Sequence, residues 1–205
     1  MGRLSGGPHD EPDGASPFDA SGLKLKHIRS RRQLNIAEAK NIGRAITKYM
    51  ASTPSVRKAP FTLEWGYKLH REMFSNVWEW AGKRRNSELN IGFPFHRIDP
   101  ALRDLFDDLA AWSRHGSYPI AEQAARLHHR SVLIHPFNNG NGRWARLLAN
   151  IWLKRHNAAP VDWPDETIGD EGVFRREYLD AIKVADAGDL APLLRLHLKY
   201  SSKSE

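Results

Sequence analysis

The sequence predicts an all-α domain carrying a short β-hairpin flap. Apolar residues return every three or four positions in seven segments, the spacing of one helix face. Glycine, proline and asparagine gather between those segments rather than inside them. One stretch between the second and third helices, VWEWAGKRRNSELNIGFPFHRI, loses the helical period and carries Gly92 and Pro94, which predicts a hairpin or extended flap.

The elements follow in order. Residues 1–21, rich in Gly, Pro, Ser and Asp, bury too little apolar surface to offset chain entropy and are expected to form a disordered tail, leaving residues 22–200 as one domain. A basic lead-in, LKLKHIRSRRQLN, precedes the first helix, NIAEAKNIGRAITKYM, with Ile36, Ile42, Ala45, Ile46 and Tyr49 at helical spacing. Thr62 is placed to cap a second helix that turns Leu63, Leu69, Met73 and Phe74 inward. Asp99 and Pro100, cap and first-turn proline, open a third. AEQAARLHHRSVLI forms a fourth, GRWARLLANIWLKRH a fifth, and FRREYLDAIKVADA and APLLRLHLKY two more.

Composition narrows the chemistry. The chain has 205 residues, 40% of them hydrophobic, and no cysteine, which excludes disulfide scaffolds, cysteine-ligated zinc and cysteine catalysis. No apolar run approaches the roughly 20 residues needed to span a bilayer, and the amino terminus lacks the apolar stretch of a secretory signal, so a cytoplasmic setting without membrane partners is expected. A formal net charge of +7 favours anionic partners: a nucleotide, a nucleic acid or an acidic protein.

Between the fourth and fifth helices stands HPFNNGNGRWAR, His135 to Arg146. NNGNG cannot propagate a helix, but it can make a tight turn that feeds one. A helix starting at Asn141 or Gly142 directs its unpaired N–H groups and positive dipole end into that turn, a site suited to phosphate. Arg143 and Arg146, one helical turn apart, can lean toward the same anion with planar donor forks. His135, just upstream, suits a general base that takes a proton from a hydroxyl attacking phosphorus. Phe137 is expected to plug into the core and fix the turn.

The segment resembles the signature of the Fic family, H-x-F-x-[D/E]-G-N-G-R-x-x-R, at every position but one, where Asn139 replaces an acid. LNIAEAKNI, LHREMFSNVWEWAGKRR, NIGFPF and AARLHHRSVLI extend the likeness, with a leaning to the branch called mobile mystery protein B. The resemblance implies an all-α Fic fold and transfer of AMP from ATP, with Mg²⁺, to a Ser, Thr or Tyr hydroxyl of a target protein. It implies His135 as general base, Gly140, Asn141 and Gly142 as the anion nest, Arg143 on the ATP phosphates and Arg146 on the γ-phosphate. Asn139 takes the metal-holding place, and Asn90, Ile91 and Gly92 clamp the target by strand-like pairing.

Two departures stand out. An amide at Asn139 offers magnesium a dipole where a carboxylate offers charge, so metal binding and activity should weaken. The family's inhibitory helix, [S/T]-x-x-x-E-[G/N], is absent from NIAEAKNI, where Ile36 and Lys40 fill its defining positions, so that copy cannot engage Arg146. TIGDEG, Thr167 to Gly172, matches the pattern and offers Glu171, although an acid there also suits a helix amino end. Without a working copy, restraint falls to an antitoxin-like protein partner or does not exist.

Other clusters carry ordinary readings. His128 and His135 share a helix face, and His129 adjoins, but no carboxylate stands at ligand spacing. Of His128 and His135, one is expected buried and bonded, the other exposed. Trp78 and Trp80 beside basic residues can serve nucleic acid, but packing beneath the flap is the simpler role, and direct nucleic-acid binding is not favoured. Two rivals to AMP transfer are transfer of another phosphate-bearing group on this scaffold and a catalytically weak, nucleotide-binding half of a toxin–antitoxin pair.

Overall fold

A computed structural model describes residues 21–164 and 171–202. It contains α1 (Arg31–Met50), α2 (Leu63–Phe74), α3 (Ile98–His115), α4 (Ile120–Ile134), α5 (Asn141–Arg155), α6 (Glu171–Asp186) and α7 (Ala191–Lys199). The domain is all-α, as its periodicity predicts. No helix among the described residues is long and apolar enough to cross a membrane. The expected tail, apart from Ser21, lies outside the described residues.

Antiparallel α4 and α5 form the centre. α3, α6 and α7 pack on α4, while α1 and α2 pack on each other and against α5. The main core gathers Trp65, Phe74, Leu105, Leu109, Phe137, Trp144 and Leu148, and a second cluster of Phe174, Tyr178, Ile182, Leu193 and Leu196 joins α6 to α7. Full burial of each such side chain contributes about 1.5–3 kcal/mol. On α2 the expected inward face, Leu63, Leu69, Met73 and Phe74, is buried, and the Thr62 hydroxyl accepts from the Trp65 N–H at 3.3 Å as its cap.

Three expectations need correction. The first helix begins earlier, inside the basic lead-in, because the Ser30 hydroxyl caps it by accepting from the Gln33 N–H. Its buried stripe is Leu34, Glu38, Asn41, Ala45 and Tyr49, whereas Ile36 and Ile46 face solvent. Ala45 and Tyr49 lie there as expected, and the apolar count goes astray at Ile36 and Ile46 because two polar residues belong to the inner face. The third helix is not capped by Asp99, which lies inside it after a 3-10 turn at Phe95–Arg97. Its carboxylate instead accepts from the Tyr67 hydroxyl at 2.6 Å and pairs with Arg84.

The third correction is the flap. No β-hairpin forms among the described residues, where bridges occur only between Leu23 and Trp78 and between Val161 and Ser201. Segment 85–93 is held by a side chain in place of a ladder. The buried Arg85 guanidinium donates to the carbonyls of Ser87, Phe93 and His135. Backbone bonds then tie Arg85 to Pro136 and Phe93 to Ile134, so the flap is sewn to the end of α4. A cation that satisfies three carbonyls removes the need for cross-strand pairing. Trp78 and Trp80 stack on each other, ring centroids 4.9 Å apart, and Trp78 serves α1 rather than the flap, donating its indole N–H to Glu38 at 2.6 Å.

Candidate active site

The site begins where α4 stops. His135 adopts a left-handed conformation, φ 53° and ψ 61°, and its N–H returns to the Ser131 carbonyl as the helix cap. Phe137, fully buried, anchors the turn that follows. Gly140 is left-handed as well, φ 79°, and a Cβ there would stand 2.6 Å from the Phe74 ring, so both conformation and space demand glycine. The α5 ladder starts with the Trp144 N–H on the Gly140 carbonyl. The N–H groups of Asn141, Gly142 and Arg143 precede it and are left without intrahelical partners, as at any helix amino end, where an anion can be received.

Side chains brace this turn from both sides. Asn141 is buried, and its amide accepts from the Phe137 N–H at 2.9 Å and donates to the Phe137 carbonyl at 2.8 Å. Its side chain is therefore structural, and what it brings to an anion is its backbone N–H. His70 does the same for Asn139. The Gly82 N–H donates to His70 Nδ1 at 2.9 Å, so the ring proton sits on Nε2, which donates to the Asn139 carbonyl at 3.1 Å. The imidazole lies flat on Phe137, centroids 3.5 Å apart, and burial holds its pKa down at about 3.

His135 is 7% exposed, and its Nε2 is buried without a partner among the described residues. A bare lone pair costs less on a buried, partnerless nitrogen than an unpaired N–H, so the proton belongs on Nδ1. Nε2 thus presents a lone pair, the form a general base requires. Burial, reinforced by the Arg85 charge, lowers its pKa to about 4. Gly92 rests directly on this residue: a Cβ on Gly92 would stand 2.5 Å from His135 Cβ. Asn90, Ile91 and Gly92 are all exposed, and so the expected clamp and the expected base are neighbours.

The two arginines diverge, contrary to the expected convergence. Arg143 turns to α1 and α2, bonding Glu38 at 2.5 Å and lying 5.0 Å over the Phe74 ring. Arg146 turns to α6, its guanidinium carbon 5.0 Å from the Tyr178 ring centre. Its Nη2 lies 3.9 Å from where a Cβ on Gly142 would be, close to the helix end. Glu171 opens α6, but its side chain lies outside the described residues, as does the rest of TIGDEG apart from the backbone of Gly172.

Asn139 fits a magnesium ion poorly. Its Oδ1 already accepts from the Gly140 N–H at 2.6 Å, and Glu38 is divided between Trp78 and Arg143. Among the described residues no three His, Asp or Glu side chains cluster as a metal site. Of His128 and His135 neither is exposed, contrary to expectation: His128 is buried and bonded, and His135 is buried as well, while His129 lies nearer the surface on Asp186 at 2.8 Å.

Sequence reasoning missed Glu38, His70, Arg85 and Tyr178. Glu38 had a signal, four residues after the buried Leu34, but a carboxylate on an inner face reads as a surface acid until its partners are known.

One turn of this all-α domain thus brings together a helix amino end, two arginines and a buried imidazole, groups whose chemistry suits a phosphate. Residues 60–153 match the Fic/DOC family, and the chain carries a Fic/DOC family domain. Protein adenylyltransferase fic-1 of Caenorhabditis briggsae is 38% identical over 143 residues, 67% of this chain and 26% of the relative. Protein adenylyltransferase Fic of Drosophila virilis is 32% identical over 154 residues, 73% of this chain and 30% of the relative. The chain thus spans roughly a quarter to a third of these curated relatives. Among solved structures, Fic-1 (residues 134–508) from Caenorhabditis elegans superposes with a TM-score of 0.69 at 29% identity, covering 84% of this chain and 50% of that one. The BepC protein of Bartonella tribocorum, solved with AMPPNP bound, shares the fold with a TM-score of 0.66 at 17% identity, covering 94% of this chain and 96% of that one.

Proposed function

We propose that this domain transfers AMP from ATP to a hydroxyl of a target protein, with His135 as the general base. The observation that carries the reading is the His135 Nε2 lone pair, buried and held at the turn that opens α5. The relatives named protein adenylyltransferase support it.

The triphosphate lies on the N–H groups of Asn141, Gly142 and Arg143, where the helix dipole favours negative charge. Arg143 leaves Glu38, and Arg146, already beside the helix end over Tyr178, takes phosphate oxygens. Asn90, Ile91 and Gly92 hold an extended target segment, which sets its Ser, Thr or Tyr hydroxyl against Nε2. The imidazole takes the hydroxyl proton as the oxygen attacks the α-phosphorus. A new P–O bond forms, the bond from the α-phosphorus to the bridging oxygen breaks, and pyrophosphate leaves. No step is assigned to a protein-held magnesium, because Asn139 and its neighbours do not provide its ligands.

The test uses ATP labelled on the α-phosphate, with cell lysate as the source of targets. Wild type should label protein and His135→Ala should not. Label carried instead from the γ-phosphate would identify transfer of a different group, and binding of ATP without transfer would leave a nucleotide-binding component.

A further inference from the structure

Behind Arg146 lies a buried polar cluster that the proposed mechanism does not use. His128 Nδ1 is 3.0 Å from His197 Nε2, and His128 Nε2 is 3.1 Å from the Tyr178 hydroxyl, with both imidazoles buried between α4, α6 and α7. Trp163 packs edge-on against both rings, centroids 5.3 Å from His128 and 5.0 Å from His197. The cluster reaches the helix end through Tyr178, whose hydroxyl is 3.7 Å from the Cβ position of Gly142.

Its protons can be placed. His197 Nδ1 is buried without a partner among the described residues. A bare lone pair costs less there than an unpaired N–H. The His197 proton therefore sits on Nε2 and is donated to His128 Nδ1, and the His128 proton sits on Nε2 and is donated to the Tyr178 oxygen. Burial keeps both rings uncharged, His197 near 3 and His128 well below its ordinary value. One bond order thus runs from α7 through α4 to α6 and fixes the phenol. The Tyr178 ring in turn stands 5.0 Å beneath the Arg146 guanidinium, with Trp163 at 5.9 Å.

We propose that Tyr178 is a positioning residue for nucleotide binding: its ring, fixed through its hydroxyl by His128 and His197, holds the Arg146 guanidinium beside the amino end of α5. The inference rests on the reading of Arg146 as a phosphate ligand. A long flexible side chain that starts within reach of the nest loses less conformational freedom when phosphate arrives.

The test is a double-mutant cycle on ATP affinity, with AMP as the comparison. Arg146→Ala should weaken ATP binding; if it does not, the phosphate-ligand reading fails, and this inference with it. Given that loss, Tyr178→Leu should weaken ATP binding about tenfold, the loss of a desolvated cation–π contact, and leave AMP nearly unchanged. In the Arg146→Ala background the same change should add less than about twofold. Tyr178→Phe keeps the ring and should bind ATP within about threefold of wild type. Full additivity with Arg146→Ala, or a loss in Tyr178→Phe equal to that in Tyr178→Leu, overturns the proposal. Should Tyr178→Leu not fold, Tyr178→Met supplies a ringless residue in the same cycle.

Discussion

Glu38 and Arg143 meet at 2.5 Å across 105 positions of sequence, and the carboxylate end of Glu38 is nearly sealed from solvent. The arginine that the proposed mechanism assigns to phosphate is therefore occupied by an acid from α1. NIAEAKNI, which lacks the residues to engage Arg146 by the family pattern, supplies this acid to the other arginine. Glu38→Gln keeps an acceptor for the Trp78 indole but removes the competing charge. ATP affinity should rise up to about tenfold, the lower range of a coupling free energy between two ligands of one group. Titration calorimetry with an unchanged affinity would show that Glu38 does not compete. Glu38→Ala should cost stability as well, about 1–3 kcal/mol, because it orphans the buried Trp78 N–H.

Acid should unfold this domain early. His70, His128, His135 and His197 are all buried with pKa values pushed below the ordinary 6.5, His135 to about 4 and His70 and His197 to about 3. The unfolded chain binds protons that the native state refuses, so stability is full above pH 6.5 and falls as pH drops toward the native values. At pH 5 each of the four costs about 2 kcal/mol, together comparable to a domain's whole stability. Circular dichroism should show the helical signal lost between about pH 6 and 5. Intact helix at pH 4.5 would contradict the burial of these rings.

His135 itself should stay unprotonated down to the pH at which the domain unfolds, read from its imidazole nitrogen shifts by NMR, because burial holds its pKa down at about 4. The base would then be fully unprotonated at neutral pH, and the transfer rate should show no inflection at the ordinary histidine value. A midpoint near 6.5 would place the ring in solvent rather than where it lies here.

Gly92→Ala tests the seating of the base. The added methyl would meet His135 Cβ at 2.5 Å and the Arg85 guanidinium at 3.1 Å, on a backbone with φ 93°. Strain of about 1–3 kcal/mol is expected, and transfer should fall at least about tenfold through displacement of the imidazole. Nucleotide affinity should stay close to wild type, because the atoms nearest the added methyl belong to His135, Arg85 and Ile134 rather than to Gly140, Asn141 or Gly142. Unchanged transfer would detach the flap from the base.

Asn139→Asp addresses the metal. The new carboxylate can keep the Gly140 N–H bond on one oxygen and offer the other outward. Transfer by the variant should rise with magnesium concentration more steeply than transfer by the wild type. Equal metal dependence would locate the ion wholly on the nucleotide.

Much of this architecture was readable from spacing alone. The helices after the turn, the inward face of α2 and the position of Phe137 all follow from local periodicity and turn chemistry. The hairpin was misread because a Gly- and Pro-containing stretch without helical period looks alike whether strands pair or an arginine gathers its carbonyls. The face of α1 was misread because Glu38 and Asn41 are inner residues whose partners come from other elements. Pairs such as Glu38 with Arg143, or His128 with Tyr178, depend on how helices distant in sequence meet, and no local pattern encodes that. The motif itself located the turn correctly but not the divergent directions of its two arginines, which are set by α1 on one side and α6 on the other.

Arg85 grips the carbonyls of Ser87 and Phe93 at the two ends of the flap and that of His135 at the turn. Clamp and base therefore hang from a single bracket. The loop is tied down at both ends, and in the proposed reaction any length of polypeptide it seized would be measured from the imidazole itself. Reach toward the phosphorus would thereby be built into the frame, and the depth of a client's hydroxyl, more than its surrounding sequence, would be the dimension gauged.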